Sequence, residues 1–157
     1  MTITLRPIRG GDEPFLGRLY ASTRQDEMAL TGWPPAEIAE FLKAQFDAQH
    51  RYYLEHLPPS EFNIIELDGD PIGRLYVGDW EDDVRLIDIA LLPDHRNHGI
   101  GTRLIEDVME RAASLGKPVR LHVEQNNPAR RLYERLDFVA LEERGINLFM
   151  EWRQSTP

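Results

Sequence analysis

Val84-Arg-Leu-Ile-Asp-Ile-Ala-Leu-Leu-Pro93, then Arg96-Asn-His-Gly-Ile-Gly101, then Thr102-Arg-Leu-Ile-Glu-Asp-Val-Met-Glu-Arg-Ala-Ala-Ser-Leu-Gly116: this run decides the fold. Val84–Leu92 is mostly aliphatic, the pattern of a strand buried on both faces in a central or parallel position, and Pro93 stops it. Leu104, Ile105, Val108, Met109, Ala112 and Ala113 recur at helical spacing, and Gly116 ends that helix. A glycine pair joins strand to helix. The first turn of a helix leaves backbone N–H groups unpaired at the positive end of its dipole, and glycine lets a bulky anion approach them. Arg96, Asn97, His98, Gly99, Ile100 and Gly101, with Thr102 beyond them, therefore read as a phosphate cradle. The plainer alternative is a tight turn with no ligand. Two other cradles fit poorly: a P-loop needs Gly-Lys-Ser/Thr where Gly101-Thr102-Arg103 stands, and a dinucleotide fingerprint needs a third small residue where Leu104 stands.

Working outward, Val119–Val123 reads as a second strand. Asn127 caps a further helix, with Pro128 in its first position and Ala129, Leu132, Tyr133 and Leu136 on one side. Two strand–helix units in tandem predict an α/β fold with a mixed sheet. Thr2–Ile8 reads as an opening strand. Two helices follow, one carrying Phe15, Leu16, Leu19 and Tyr20, the other Ile38, Phe41, Leu42 and Phe46, separated by Thr31-Gly-Trp-Pro-Pro35. Phe62–Leu67 and Ile72–Val77 form a hairpin about Asp68-Gly69-Asp70. Phe138–Leu141 and Ile146–Trp152 close the chain.

The chain has 157 residues, which predicts one domain over 1–157. It contains no cysteine, which excludes a disulfide scaffold, a thiolate metal cluster and a cysteine nucleophile. No apolar run approaches a bilayer span, and Met1-Thr-Ile-Thr-Leu-Arg6 does not have the pattern of an export signal, so a cytoplasmic location is expected. The net charge of −9 argues against nucleic acid or an anionic membrane as partner. The five histidines show no metal-ligand spacing, so no metal is expected. Acids concentrate in residues 61–83 and bases in 95–136. Asp79-Trp-Glu-Asp-Asp83 reads as a solvated turn or as a patch that steers a cation.

Arg96-x-x-Gly99-x-Gly101 resembles the pyrophosphate-binding signature of the GNAT superfamily of N-acetyltransferases, Arg/Gln-x-x-Gly-x-Gly/Ala. Asn126-Asn-Pro-Ala-Arg-Arg-Leu-Tyr133-Glu-Arg-Leu-Asp-Phe138 is similar to the family's second motif, an asparagine, a helix carrying Leu-Tyr, then Gly-Phe. The resemblance covers residues 84–152 closely. It implies a central mixed sheet flanked by helices, with the cofactor cleft between parallel strands at 84–92 and 118–124. It also implies acetyl-coenzyme A as cosubstrate and an amine of a small molecule or a protein as acceptor. One position departs from the motif: Asp137 stands where the family has glycine, which predicts a slightly strained left-handed turn.

Acetyl transfer to an amine sets three requirements: a neutral nitrogen, a donor for the oxyanion, and a proton or strong hydrogen bond for the departing thiolate. By resemblance Tyr133 is the acid. On spacing alone it reads as a core tyrosine beside Leu132 and Leu136. The resemblance also implies a bulge in the Val84–Leu92 strand that turns N–H groups out near Ile89, Ala90 and Leu91, and a cofactor contact from Asn126, whose alternative is a loop or capping role. Asp88 interrupts an apolar strand, and a buried charge is costly unless paired or used. It is read as the group that takes or holds the amine's proton, or as an acid satisfied by an arginine. Glu124 and His122 are further candidates for the base. Trp33, Tyr52, Tyr53 and Trp80 are candidate walls of an acceptor pocket formed by the first two helices and their loop, or core aromatics. A non-catalytic acyl-coenzyme A-binding module, a longer acyl donor, a plain interaction domain and a homodimer through the closing strands remain open readings.

Overall fold

The computed structural model describes residues 1–155. Among these, seven strands form one sheet: β1 (Ile3–Pro7), β2 (Glu61–Leu67), β3 (Asp70–Asp79), β4 (Val84–Leu91), β5 (Val119–Glu124), β6 (Val139–Arg144) and β7 (Asn147–Trp152). Their spatial order is β1-β2-β3-β4-β5-β7-β6. The helices are α1 (Glu13–Ala29), α2 (Pro35–His56), α3 (Ile100–Ser114) and α4 (Ala129–Arg135). The sheet is mixed and α/β, as expected. β4 and β5 run parallel and the other neighbouring pairs antiparallel.

Adjacent residues on a strand point to opposite faces, and β2 shows what each face covers. Ile64 belongs to one core with Leu16, Tyr20, Leu42 and Phe46 from α1 and α2. Ile65 belongs to the other, larger core with Leu104, Ile105, Val108 and Ala112 from α3, Tyr133 from α4, and Phe138. The β2–β3 hairpin turns on Asp68 and Gly69, both at positive φ (50° and 89°), the conformation that matches the twist of paired strands.

β4 does not have the uniform burial that its aliphatic sequence predicts. It pairs with β5 only through Val84–Val119, Arg85–Arg120 and Leu86–Leu121. Burial is deep at Val84 and Leu86, and from Ile87 to Leu91 the strand is half-buried. Beyond Leu86 the two strands part, and the apolar residues of β4 line an opening instead of filling a core.

A second irregularity sits at the same place. Tyr76 pairs with Asp88 while the next residue of β3, Val77, pairs with Leu86, so Ile87 is an extra residue without a partner. This bulge resets the alternation of the strand. Val84 and Leu86 face the α3 core before it, and Ile89 and Leu91 pack on that core after it. Asp88 is thereby moved to the opposite face, beside Arg74 and beneath α2. In a regular strand, without the bulge, it would share the side of Leu86 and enter the larger core.

α4 ends as the second motif predicts. Asp137 takes φ +70°, and the Phe138 N–H donates to the Tyr133 carbonyl at 3.0 Å. This left-handed closure swings Phe138 beneath Tyr133, with ring centroids 5.6 Å apart. Asn127 caps α4 with its side chain, Oδ1 accepting from the Ala129 N–H at 2.9 Å, while Pro128 sits at the cap position itself.

Asp12 is buried at the start of α1, although it does not cap the helix with its side chain. Both its oxygens accept from the Arg6 guanidinium of β1 (2.8 and 2.9 Å), and one also accepts from the Arg9 N–H at 2.7 Å. The Arg6 hydrogen bonds outweigh the cost of burial and lower the carboxyl to about 2. A depressed folded-state pKa stabilises the fold above the unfolded value and loses that contribution as pH falls through the folded value. Asp12→Asn is therefore expected to cost about 1–2 kcal/mol at pH 7, discounted for solvent screening. The difference from wild type should shrink between pH 4 and pH 2 in urea unfolding followed across that range.

Candidate active site

The opening between β4 and β5 is the mouth of a cleft of about 790 Å³. Its sides come from α1 (Tyr20, Thr23, Arg24), α2 (Gln49, Tyr52, Tyr53), the end of β5 and Tyr133 of α4. Its floor is the parted length of β4. Leu92 N–H donates to the Ile72 carbonyl at 2.8 Å. In an antiparallel ladder the direction of the backbone groups alternates, so Asp88, Ala90 and Leu92 turn theirs to β3. Ile89 and Leu91 turn theirs to the side β5 has left. Of the three residues expected to offer N–H groups, Ile89 and Leu91 do so, while Ala90 is engaged with β3. The bulge lies at Ile87, earlier than the Ala90–Leu91 region where it was expected.

Gly99 caps α3 in the left-handed conformation at φ +81°, and Asn97 is also left-handed at φ +62°. No side chain caps the helix, so the N–H groups of Ile100, Gly101 and Thr102 are left for a ligand. A Cβ at Gly99 would meet nothing within 4 Å, so the cradle opens outward there. Arg96 does not extend into the cradle. Its Nε donates to the Leu91 carbonyl at 2.9 Å and its Nη2 to Ser22 Oγ at 3.3 Å, which ties the loop to the end of β4 and to α1. His98 and Asn126 are exposed, and Asn127, not Asn126, lines the cleft.

Asp88 forms an ion pair with Arg74 of β3, through Nη2. Arg74 is buried in mid-sheet; the same nitrogen donates to Gln49 Oε1 at 3.0 Å, and the guanidinium lies 4.9 Å from the Tyr76 ring centroid. The arginine-satisfied reading of Asp88 is thus the one the geometry contains. The pair nevertheless faces the cleft, because Asp88 remains about a quarter exposed. Arg74 carried the same signal in the sequence as Asp88, a charge in an apolar strand, and sequence reasoning passed over it. Gln49 and Arg24 carried no such signal.

Tyr133 is buried, yet its hydroxyl reaches the cleft without a hydrogen-bond partner among the described residues. Burial, and then the nearby Asp88 carboxylate, raise its pKa, so the phenol stays protonated. Burial and Asp88 act in the same direction on Tyr53, pushing it up to about 12. Asp88 therefore lies within electrostatic reach of tyrosines from both sides of the cleft. His122 lines the cleft with its pKa lowered by burial, Arg85 and Arg144, while Glu124 accepts from Arg24 at 3.2 Å.

Tyr52, Tyr53 and Trp80 line the cleft, and Trp33 does not: it packs edge-on against Phe41, with centroids 5.4 Å apart. The pocket is built from the middle of α1 and the second half of α2, away from the loop between them. The acids of 79–83 are partly consumed within the fold. Asp79 binds Lys117, and buried Asp83 binds Arg85 and Arg120, so the stretch is neither a wholly solvated turn nor a set of free acids. Among the described residues no group of three or more His, Asp or Glu side chains is placed to hold a metal ion, and no helix is long and apolar enough to cross a membrane.

Comparison with known proteins agrees with this fold. The family model described as Acetyltransferase (GNAT) family matches residues 23–138. The PaiA N-acetyltransferase of Thermoplasma acidophilum, solved in complex with coenzyme A, superposes with a TM-score of 0.72 at 17% identity, covering 98% of this chain and 100% of its own. An acetyltransferase from Thermus thermophilus gives 0.70 at 20% identity, covering 98% of each chain. YncA of Salmonella typhimurium, solved with its cofactor acetyl-CoA, gives 0.57 at 19% identity, covering 100% of this chain and 98% of its own. No curated protein matches in sequence.

The Arg74–Asp88 pair generates a stability prediction. Removing one partner of a buried pair strands the other charge, whereas removing both leaves none. Asp88→Leu is expected to destabilise by about 3 kcal/mol, and Arg74→Met/Asp88→Leu by less than Asp88→Leu alone. Urea unfolding of wild type, both single variants and the double variant measures the cycle.

Proposed function

The chain belongs to the GNAT acetyltransferase family, and on that premise we propose that it transfers the acetyl group of acetyl-coenzyme A to a primary amine by direct attack. The observation that carries this reading is the parting of β4 from β5 next to an uncapped helix N-terminus. Together they offer unpaired N–H groups to a ligand along one continuous path. The N–H groups of Ile100, Gly101 and Thr102, with the open backbone of Asn97, His98 and Gly99, would hold the pyrophosphate. Those of Ile89 and Leu91 would hold the pantetheine amides and the thioester oxygen, with Asn126 at the rim. Acetyl-coenzyme A supplies an acyl carbon on a good leaving group.

The chain's own residues supply the rest. Arg74 holds one side of Asp88, leaving Oδ1 to face the acceptor's ammonium group. Asp88 takes the proton that the nitrogen must lose before it attacks, directly or through water. As the C–N bond forms and the C–S bond breaks, Tyr133 donates its proton or a strong hydrogen bond to the sulfur and recovers a proton from solvent. Its raised pKa keeps it a donor throughout the working pH range and favours a hydrogen bond over complete transfer. β4 and α4 fix both groups on opposite sides of one opening, so orientation is built in before the substrates arrive.

Two measurements test the reading. Thermal unfolding with acetyl-coenzyme A or free coenzyme A at 100 times the dissociation constant should show about 2.7 kcal/mol of stabilisation, with none from ATP. No shift with either thioester or thiol would remove the cradle and the activity with it. Tyr133→Phe should lower kcat by about 10²-fold or more while the KM for acetyl-coenzyme A stays within about two-fold. An unchanged kcat would take the acid role from Tyr133.

A further inference from the structure

Asp88 and Arg74 leave an unusual set of groups unsatisfied at the acceptor end of the cleft. Arg74 is 3% exposed, and its Nη2 is spent on Asp88 and Gln49. Its Nε is buried without a partner, Nη1 makes no hydrogen bond among the described residues, and Arg74 is one of the residues that line the cleft. The Gln49 amide uses its oxygen on Arg74, which leaves Nε2 free to donate. The Tyr53 hydroxyl lines the same cleft and has no partner among the described residues. Three donors without a protein partner and one free carboxylate oxygen, Asp88 Oδ1, therefore belong to residues that line one cleft. A fold that wanted only a satisfied ion pair would close these groups upon one another, because an unmade hydrogen bond at a buried donor is costly.

Building on the acetyl-transfer reading, we propose that the acceptor is an α-amino acid with an apolar or aromatic side chain, its ammonium on Asp88 and its carboxylate on Arg74 Nη1, Gln49 Nε2 and the Tyr53 hydroxyl. Asp88 and Arg74 are in direct contact, so a ligand complementary to both must carry its own opposite charges close together. One carbon between amine and carboxylate meets that requirement, and a long diamine or a lysine side chain does not. The carboxylate takes charge-assisted bonds from a guanidinium already fixed by Asp88 and Gln49, so little ordering is lost on binding. The adjoining wall is Tyr52, Leu57, Pro58 and Trp80, which suits an apolar side chain. The raised pKa of Tyr53 keeps its hydroxyl a donor.

The experiment compares matched acceptors: phenylalanine with phenethylamine, and leucine with 3-methylbutylamine, with phenylalaninamide as a third arm that keeps the carbonyl and loses the charge. Coenzyme A release gives kcat and KM, and thermal unfolding with coenzyme A plus each compound gives binding without turnover. The amino acids should exceed their amines in kcat/KM by at least about ten-fold and should alone add to the coenzyme A shift. Tyr53→Phe removes one proposed carboxylate donor without removing an atom of the Arg74–Asp88 pair; it should raise the amino-acid KM several-fold and lower the amino-acid-to-amine ratio of kcat/KM, with the coenzyme A shift unchanged. Amines or phenylalaninamide used as well as the amino acid would overturn the proposal and leave acetyl transfer standing. So would a coenzyme A shift with no accepted amino acid. Absence of any coenzyme A shift would instead overturn the transfer reading and the proposal with it.

Discussion

After three paired residues, β4 and β5 stop hydrogen-bonding to each other and diverge, and every functional feature of the molecule depends on that divergence. Backbone N–H groups in the middle of a sheet are normally consumed by the neighbouring strand. Here Ile89 and Leu91 on β4 lose their neighbour, while β3 and β7 keep the outer sides of the two strands in place. The result is a cleft whose floor is rigid sheet and whose unpaired donors are aimed before any ligand arrives. Arg96 ties the loop before α3 to the Leu91 carbonyl at the end of the parted strand, and Tyr133 lines the cleft which that strand floors.

The single extra residue at Ile87 governs the chemistry of the floor. By changing the phase of β4, it removes a carboxylate from the α3 core and brings it against Arg74. The ion pair is then roofed by Gln49 and Tyr53 of α2. Placing a guanidinium in mid-sheet carries a desolvation cost that Asp88, Gln49 and the Tyr76 ring offset only in part, since Nε remains unsatisfied. The same burial that makes the pair costly raises the hydroxyls of Tyr53 and Tyr133 and keeps both protonated. Desolvation thus gives the site its donors as well as its buried charge.

The elements themselves were legible. Hydrophobic spacing located all four helices, proline and glycine marked their ends, and the hairpin at Asp68–Gly69 followed from its turn residues. The left-handed turn at Asp137 could be anticipated because a motif placed a glycine there. The candidate site was legible in part. Asp88 stood out as a charge in an apolar strand, Gly99 and Gly101 as a glycine pair between strand and helix, and Tyr133 only through the resemblance to the family's second motif. Trp33 also stood out, yet it packs on Phe41 beyond the cleft, since an aromatic beside a helix break looks the same whether it lines a pocket or covers a surface.

What the sequence by itself determined is therefore local: periodicity, punctuation and the glycine loop are set by the backbone preferences and sidedness of neighbouring residues. What only the tertiary structure decided is pairing between distant segments. The aliphatic run Ile87–Leu91 is compatible with a buried strand or with the wall of a cleft, and only the loss of β5 distinguishes them. The face on which Asp88 lies depends on a register shift against β3, which no pattern within β4 records. Arg74, Gln49 and Tyr53 become parts of one site because α2 crosses the sheet above the bulge, and such contacts are fixed by packing across the chain rather than by any stretch along it.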